Sequence, residues 1–180
     1  MRVLGAVVAL VVLLVGAGLL AQRLSDGALA GPIPGGPFRT GTLVTEPVGD
    51  WSFAHGQPAE LQLVDPPGSR QLGTMVHEGA LYVPCDLGFI ADRSPDGRLA
   101  GALLKNLKGW HEDAASDGRV ILRISGKLYE RQAVRETDPA VLAALRASIE
   151  ELAAEFFGKP LLDQPTDPDD IWFFRMDPRN

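Results

Sequence analysis

The period of hydrophobic positions changes along the chain, and each change marks an element. Residues 3–21 are apolar without interruption, mostly Val, Leu, Ala and Gly, and carry no charge. At about 1.5 Å of rise per residue this run makes a helix of roughly 28 Å, close to the hydrocarbon thickness of a bilayer. It is apolar all round, so it is not one face of a soluble helix. The expectation is a single-pass anchor over residues 1–22 with the domain on the extracytoplasmic side. The alternative is a signal segment cleaved near Ala28-Leu29-Ala30, which would leave a secreted or periplasmic domain. The apolar run is longer than a signal core, and that site lies beyond Gln22, Arg23, Ser25 and Asp26, which favours the anchor.

Past the apolar run the period shortens to two. Glu60-Leu61-Gln62-Leu63-Val64 alternates with Leu61 and Leu63 on one face, and residues 71–77 and 80–85 read the same way around the tight turn Glu78-Gly79. Residues 120–125 and 128–134 form a second predicted hairpin about Gly126-Lys127. Between the hairpins a short helix is expected over residues 99–110. The period then lengthens. Asp138 is a good N-cap with Pro139 at the first helical position, and Leu142, Leu145, Ile149, Leu152 and Phe156 follow at steps of three and four. Gly158 and Pro160 end that helix, and residues 171–176 return as a strand. Gly- and Pro-rich residues 31–37 are neither helix nor central strand, so residues 23–40 read as a linker and 41–180 as one domain. Trp51 and Phe53 are expected to plug one end of a barrel or sheet, with ligand stacking by Trp51 as the alternative.

Composition narrows the functional classes. Seventeen basic residues stand against 23 acidic ones, a net charge of −6, without a basic block. Nucleic-acid binding and a polybasic lipid patch are therefore not expected. A single cysteine, Cys85, excludes a disulfide framework, and its apolar setting predicts burial. His55, His77 and His111 form no H-x-x-x-H pair, so no metal site is expected. Asp163, Asp167, Asp169 and Asp170 lack the glycine and distal glutamate of a calcium loop and read as a solvated turn. No nucleophile elbow, P-loop or dinucleotide fingerprint follows a predicted strand.

The constellation with most content lies in residues 60–134. After the first hairpin come Trp110, then Asp117 and Val120 opening a strand, then Tyr129-Glu130-Arg131-Gln132-Ala133-Val134. This resembles the flavin- and deazaflavin-binding split β-barrel superfamily, with its pyridoxamine-phosphate-oxidase-like and deazaflavin-dependent nitroreductase-like members. Those proteins often show a Trp, then Asn-Leu, then Asn/Asp-Pro-x-Val. Trp110, Asp117 and Val120 keep that spacing, while Asp113, Ala114 and Gly118 depart from it. The resemblance implies an α+β fold that is mainly β: an antiparallel split β-barrel with one packed C-terminal helix, behind the N-terminal transmembrane helix. It implies FMN or a deazaflavin as cofactor, an oxidoreductase activity supplied by that cofactor, and a homodimer. Relatives present a basic, Ser/Gly-rich turn to the cofactor phosphate. The equivalent here is Pro66-Pro67-Gly68-Ser69-Arg70, so Ser69 and Arg70 are the candidate phosphate contacts, Lys105 and Lys108 would add charge, and Trp110 would wall the ring. No catalytic acid or base is assigned. The competing expectation is a non-enzymatic envelope module that keeps the barrel as a binding scaffold.

Overall fold

The computed structural model of the chain describes residues 2–29, 34–86, 109–157 and 171–179. Helix α1 (Arg2–Leu24) comes first. Strand β1 (Thr42–Leu43) and a 3-10 turn (Ser52–Ala54) follow, then β2 (Pro58–Leu63), β3 (Gly68–Gly73), β4 (Met75–His77) and β5 (Ala80–Asp86). After helix α2 (Trp110–Ser116) come β6 (Arg119–Ile124), β7 (Lys127–Arg135), helix α3 (Pro139–Phe157) and β8 (Ile171–Pro178).

The strands make one sheet in the order β3-β2-β6-β7-β8-β5-β4, antiparallel throughout that path, with β1 pairing parallel to the start of β7. Strands β3 and β4 lie at opposite edges of this order, yet Thr74 alone separates them in sequence. The sheet must therefore curl until its edges meet at Thr74. The result is a mainly antiparallel half-barrel with helices, which fits an α+β split barrel. The single strand expected over residues 71–77 is thus two strands broken at a corner. Thr74 is buried, and its hydroxyl lies against the carbonyls of Ala54, at the end of the 3-10 turn, and Gln57, three residues beyond it. That turn fixes the corner, and strand alternation alone carries no sign of it.

Both tight hairpins use two residues at positive φ. These are Glu78-Gly79 (φ 50° and 78°) and Ser125-Gly126 (φ 50° and 76°), the requirement of a turn whose twist matches the strands. The second loop is one residue earlier than Gly126-Lys127, because Lys127 already pairs with Ile124.

Alternation sorts the side chains. Leu61, Leu63, Val83, Cys85, Val120, Leu122, Ile124, Tyr129, Phe174 and Met176 pack in the barrel interior. The opposite face of β4, β5 and β8 carries Met75, Tyr82, Ile171 and Phe173, and α3 covers them. Leu145 is fully buried there, with Leu142, Ile149 and Leu152 partly buried beside it. The Asp138 carboxylate accepts the Ala140 N–H at 2.8 Å, so the expected N-cap forms.

Residues 23–29 and 34–40 are held along the outer face of β2 and β6. Arg123 pairs with Glu60 (2.5 Å) and Asp26 (3.0 Å) and lies over the Phe38 ring. The Ala28 N–H donates to Glu60 and the Phe38 N–H to Gln62. The Asp26 carboxylate accepts from the Arg39 N–H and the Thr40 hydroxyl. Among the described side chains of α1, Leu10, Val12, Leu13 and Leu14 stand exposed. Among the described residues no helix is long and apolar enough to cross a membrane. The helix expected over residues 99–110 lies, up to residue 108, outside the described residues. Trp110 opens a helix instead of closing one, with Gly109 at its N-cap.

Candidate functional site

Each end of the barrel is closed by a tryptophan with an arginine on its face. At one end α2 brings Trp110 inward against Phe174, with ring centroids 5.5 Å apart. Phe174 in turn meets Trp172, and His111 meets Trp172 edge-on at 4.9 Å. Arg70 reaches this cluster from β3. It pairs in register with Leu61, an interior residue, so its side chain points into the barrel. Its guanidinium lies 5.6 Å from the Trp110 ring centre. Burial pushes its pKa down to about 10, while the nearby Cys85 and Asp113 side chains act the other way. Among the described residues Arg70 Nε and Trp172 Nε1 are buried without a hydrogen-bond partner. Arg135 stands over Trp172 at 3.6 Å. This end therefore offers an aromatic wall and two orphaned donors, a set suited to a flat ligand that carries acceptor atoms.

The candidate phosphate contacts fare unequally. Ser69 is fully buried in β3, not on a turn. Its hydroxyl donates to the Gly36 carbonyl at 2.6 Å, and its backbone bridges Gly35 in both directions. The chain leading from α1 thus takes the hydroxyl that was expected to meet a phosphate. Arg70 follows Ser69 into the strand, so the two point to opposite faces. Trp110 is buried at 6% exposure and does meet Arg70. Lys105 and Lys108 lie outside the described residues. The strand β3 begins at Gly68, two residues before Arg70, and the prolines of the preceding turn conceal that start in the sequence.

Gly118 explains one departure from the split-barrel pattern. Its φ is 72°, and an added Cβ would come within 2.9 Å of the Ala133 carbonyl. Proline, locked near −65°, cannot replace it there.

The other end is closed by Trp51. Its ring stacks on Phe53 at 5.7 Å and meets Tyr129 edge-on at 5.1 Å, but Phe53 itself stays about half exposed, so of the two expected plugs only Trp51 enters the interior. Arg131, on the interior face of β7, lies 4.8 Å from the Trp51 ring centre and is only 8% exposed. Burial lowers its pKa, and Tyr129 is raised for the same reason. Beside these rings a cleft of about 320 Å³ is lined by Val44, Val48, Phe53, Ile124 and Tyr129. A larger, more open cleft of about 640 Å³ lies over Asp26, Glu60 and Arg123, whose charges already satisfy one another. Among the described residues no group of His, Cys, Asp and Glu is arranged to hold a metal. Sequence reading missed Arg131 and Trp172. Arg131 carried a signal, a cation at an inward position between Tyr129 and Ala133.

No family model matches the chain, and no curated protein matches it. Solved structures do. A pyridoxamine 5'-phosphate oxidase-like protein from Listeria innocua is 17% identical, with 69% of this chain and 85% of that one covered at a TM-score of 0.41. A FAD-binding protein from Mesorhizobium loti is 10% identical, covering 71% and 84% at 0.41. An F420 reductase is 14% identical, covering 75% and 97% at 0.41. No residue's role follows from likenesses at this level.

Proposed function

We propose that this chain is a membrane-tethered split-barrel protein that binds the flat ring of a flavin or deazaflavin at its Arg70–Trp110 end. The observation that carries the reading is the pair of orphaned buried donors, Arg70 Nε and Trp172 Nε1, beside an aromatic wall. Flavin rings carry carbonyl and nitrogen acceptors that such donors satisfy. The phosphate tail fits less well, since Ser69 is spent and Pro66 and Pro67 have no N–H. The ring is therefore the part this end recognises. When bound, such a cofactor supplies hydride chemistry itself, and the activity in this reading is that of an oxidoreductase. The reading includes a homodimer, an apolar α1 covered by lipid, and the barrel on the extracytoplasmic side. The exposed apolar surface of α1 favours the lipid contact.

One observation favours a second reading, an envelope binding scaffold without enzymatic activity. Ser69, the hydroxyl a phosphate would need, serves the strap from α1 instead. Titration of FMN and of a deazaflavin into the full chain in detergent, followed by visible absorbance, separates the two. Binding at roughly tens of micromolar supports the first, and no binding leaves the scaffold. Carbonate extraction of membranes tests the tether, because apolar burial resists high salt and pH. Release of the full chain into the supernatant would remove that part of the reading.

A further inference from the structure

Strand β3 stands at one end of the strand order, with β2 on one side. On its other side, among the described residues, its bridge partner is Gly35. The Gly35 N–H donates to the Ser69 carbonyl at 2.7 Å, and the Ser69 N–H donates back to the Gly35 carbonyl at 3.1 Å. Both backbone groups of Ser69 thus face the strap, and its hydroxyl donates to the Gly36 carbonyl. The next residue, Arg70, turns inward to Trp110.

The strap is in turn fastened to the end of α1. The Ser25 hydroxyl donates to the Gln22 carbonyl at 2.8 Å and accepts the Gly36 N–H at 2.7 Å. The Arg39 guanidinium donates to the Arg23 carbonyl at 3.0 Å. A helix end leaves such carbonyls without partners of its own. Gly35 and Gly36 are not at positive φ, so close approach is what requires them. A Cβ on Gly35 would come within 1.9 Å of the Gly27 carbonyl oxygen, and one on Gly36 within 2.5 Å of the Ser25 carbonyl oxygen. The two glycines let the end of α1, the strap and β3 lie in three successive layers.

We propose that the end of α1 and the strap form a permanent clasp on β3, which closes the free edge of that strand and positions Arg70 through Ser69. An open edge is a row of unpaired backbone groups, and here the strap meets those of Ser69. Without it the N–H, carbonyl and hydroxyl of Ser69 lose their partners together. The working form of the chain therefore keeps residues 22–29, and Ala28-Leu29-Ala30 is not a processing site. The clasp stands apart from any ligand; only its effect on ring binding rests on the cofactor reading.

The test is amide exchange in the isotope-labelled full chain in detergent, read residue by residue. The Ser69 amide is expected to exchange slowly in wild type and about tenfold faster in Ser25→Ala, which loses one hydrogen bond of the clasp. The Arg70 Nε–H should exchange faster in the same variant, while the amides of Leu145 and Ile149 in α3 keep their wild-type rates. Ser25→Thr, which keeps the hydroxyl, should restore both. Gly36→Ala, whose Cβ meets backbone, should open the Ser69 amide further. On the cofactor reading, Ser25→Ala should also weaken FMN binding several-fold. Unchanged exchange at Ser69 in both variants would overturn the proposal. So would an unchanged Arg70 Nε–H once the Ser69 amide has opened, or a mature chain, weighed after purification from the cells that make it, that begins at or after residue 31. The exchange readouts contain no ligand, so failure of the clasp and failure of the cofactor reading are distinguishable.

Discussion

The two ends of the barrel solve the same packing problem with different electrostatics. Each places a tryptophan over the interior and an arginine on its ring, at 5.6 Å for Arg70 on Trp110 and 4.8 Å for Arg131 on Trp51. Burial depresses both guanidinium pKa values. At the first end the Asp113 carboxylate and the Cys85 thiol lie near enough to stabilise the cation. At the second, among the described residues only Tyr129 acts that way. The lesson is that ring stacking alone accounts for an arginine's place in a core, but not for its missing hydrogen bonds. At both ends one Nε is buried without a hydrogen-bond partner among the described residues.

The largest effects test whether both tryptophans are true plugs. Trp110→Ala and Trp51→Ala should each cost about 3–5 kcal/mol in denaturant unfolding, as for other buried aromatics. A loss well below that at one end only would show that end to be open. Leu145→Ala, beneath α3 on the outer face, should cost about 2–5 kcal/mol and supplies the yardstick for packing without charge. A smaller effect separates the arginines. Arg70→Met removes a cation that the nearby Cys85 and Asp113 side chains favour, and should lower stability by about 0.5–1 kcal/mol. Arg131 has no carboxylate paired with it among the described residues and burial already disfavours its charge, so Arg131→Met should be as stable as wild type or more so. The same sign at both ends would break the comparison.

The smallest effect concerns the strap. The Thr40 hydroxyl and the Arg39 N–H, with Arg123 beside them, hold the Asp26 carboxyl well below its ordinary range. A depressed folded pKa contributes stability above the unfolded value of about 4, and that contribution is lost as the pH falls toward the folded value. Acid unfolding of Asp26→Asn should therefore converge with wild type at low pH and diverge from it near neutrality. Parallel curves across the range would show the strap to be idle.

What was legible in the chain was legible for physical reasons. The period of two around Leu61 and Leu63, the Glu78-Gly79 turn and the Asp138-Pro139 start of α3 are local signals, and each formed as expected. The corner at Thr74 is not local. It depends on the carbonyls of Ala54 and Gln57, at and just beyond the 3-10 turn, so a continuous strand was the natural reading of residues 71–77. The site shared this difficulty. Arg70 and Trp110 were both named, Arg70 with Ser69 for a phosphate and Trp110 for the ring, but their contact was not foreseen, and Ser69 was assigned to a turn because Pro66 and Pro67 hide how early β3 begins. Its hydroxyl is claimed by Gly36, a contact across the chain that no spacing announces. Arg131 stood in plain view in an alternating strand, and only the fold brings it onto the Trp51 ring.

The central claim is that the Arg70–Trp110 end recognises a flavin-type ring while the Arg131 end does not. The most direct measurement is titration of FMN and a deazaflavin into wild type, Arg70→Met and Arg131→Met under one set of conditions. The account predicts binding to wild type at roughly tens of micromolar, a loss of about ten- to a hundredfold for Arg70→Met, and no change for Arg131→Met. Failure of both ligands to bind wild type, or equal affinity in wild type and Arg70→Met, would contradict it.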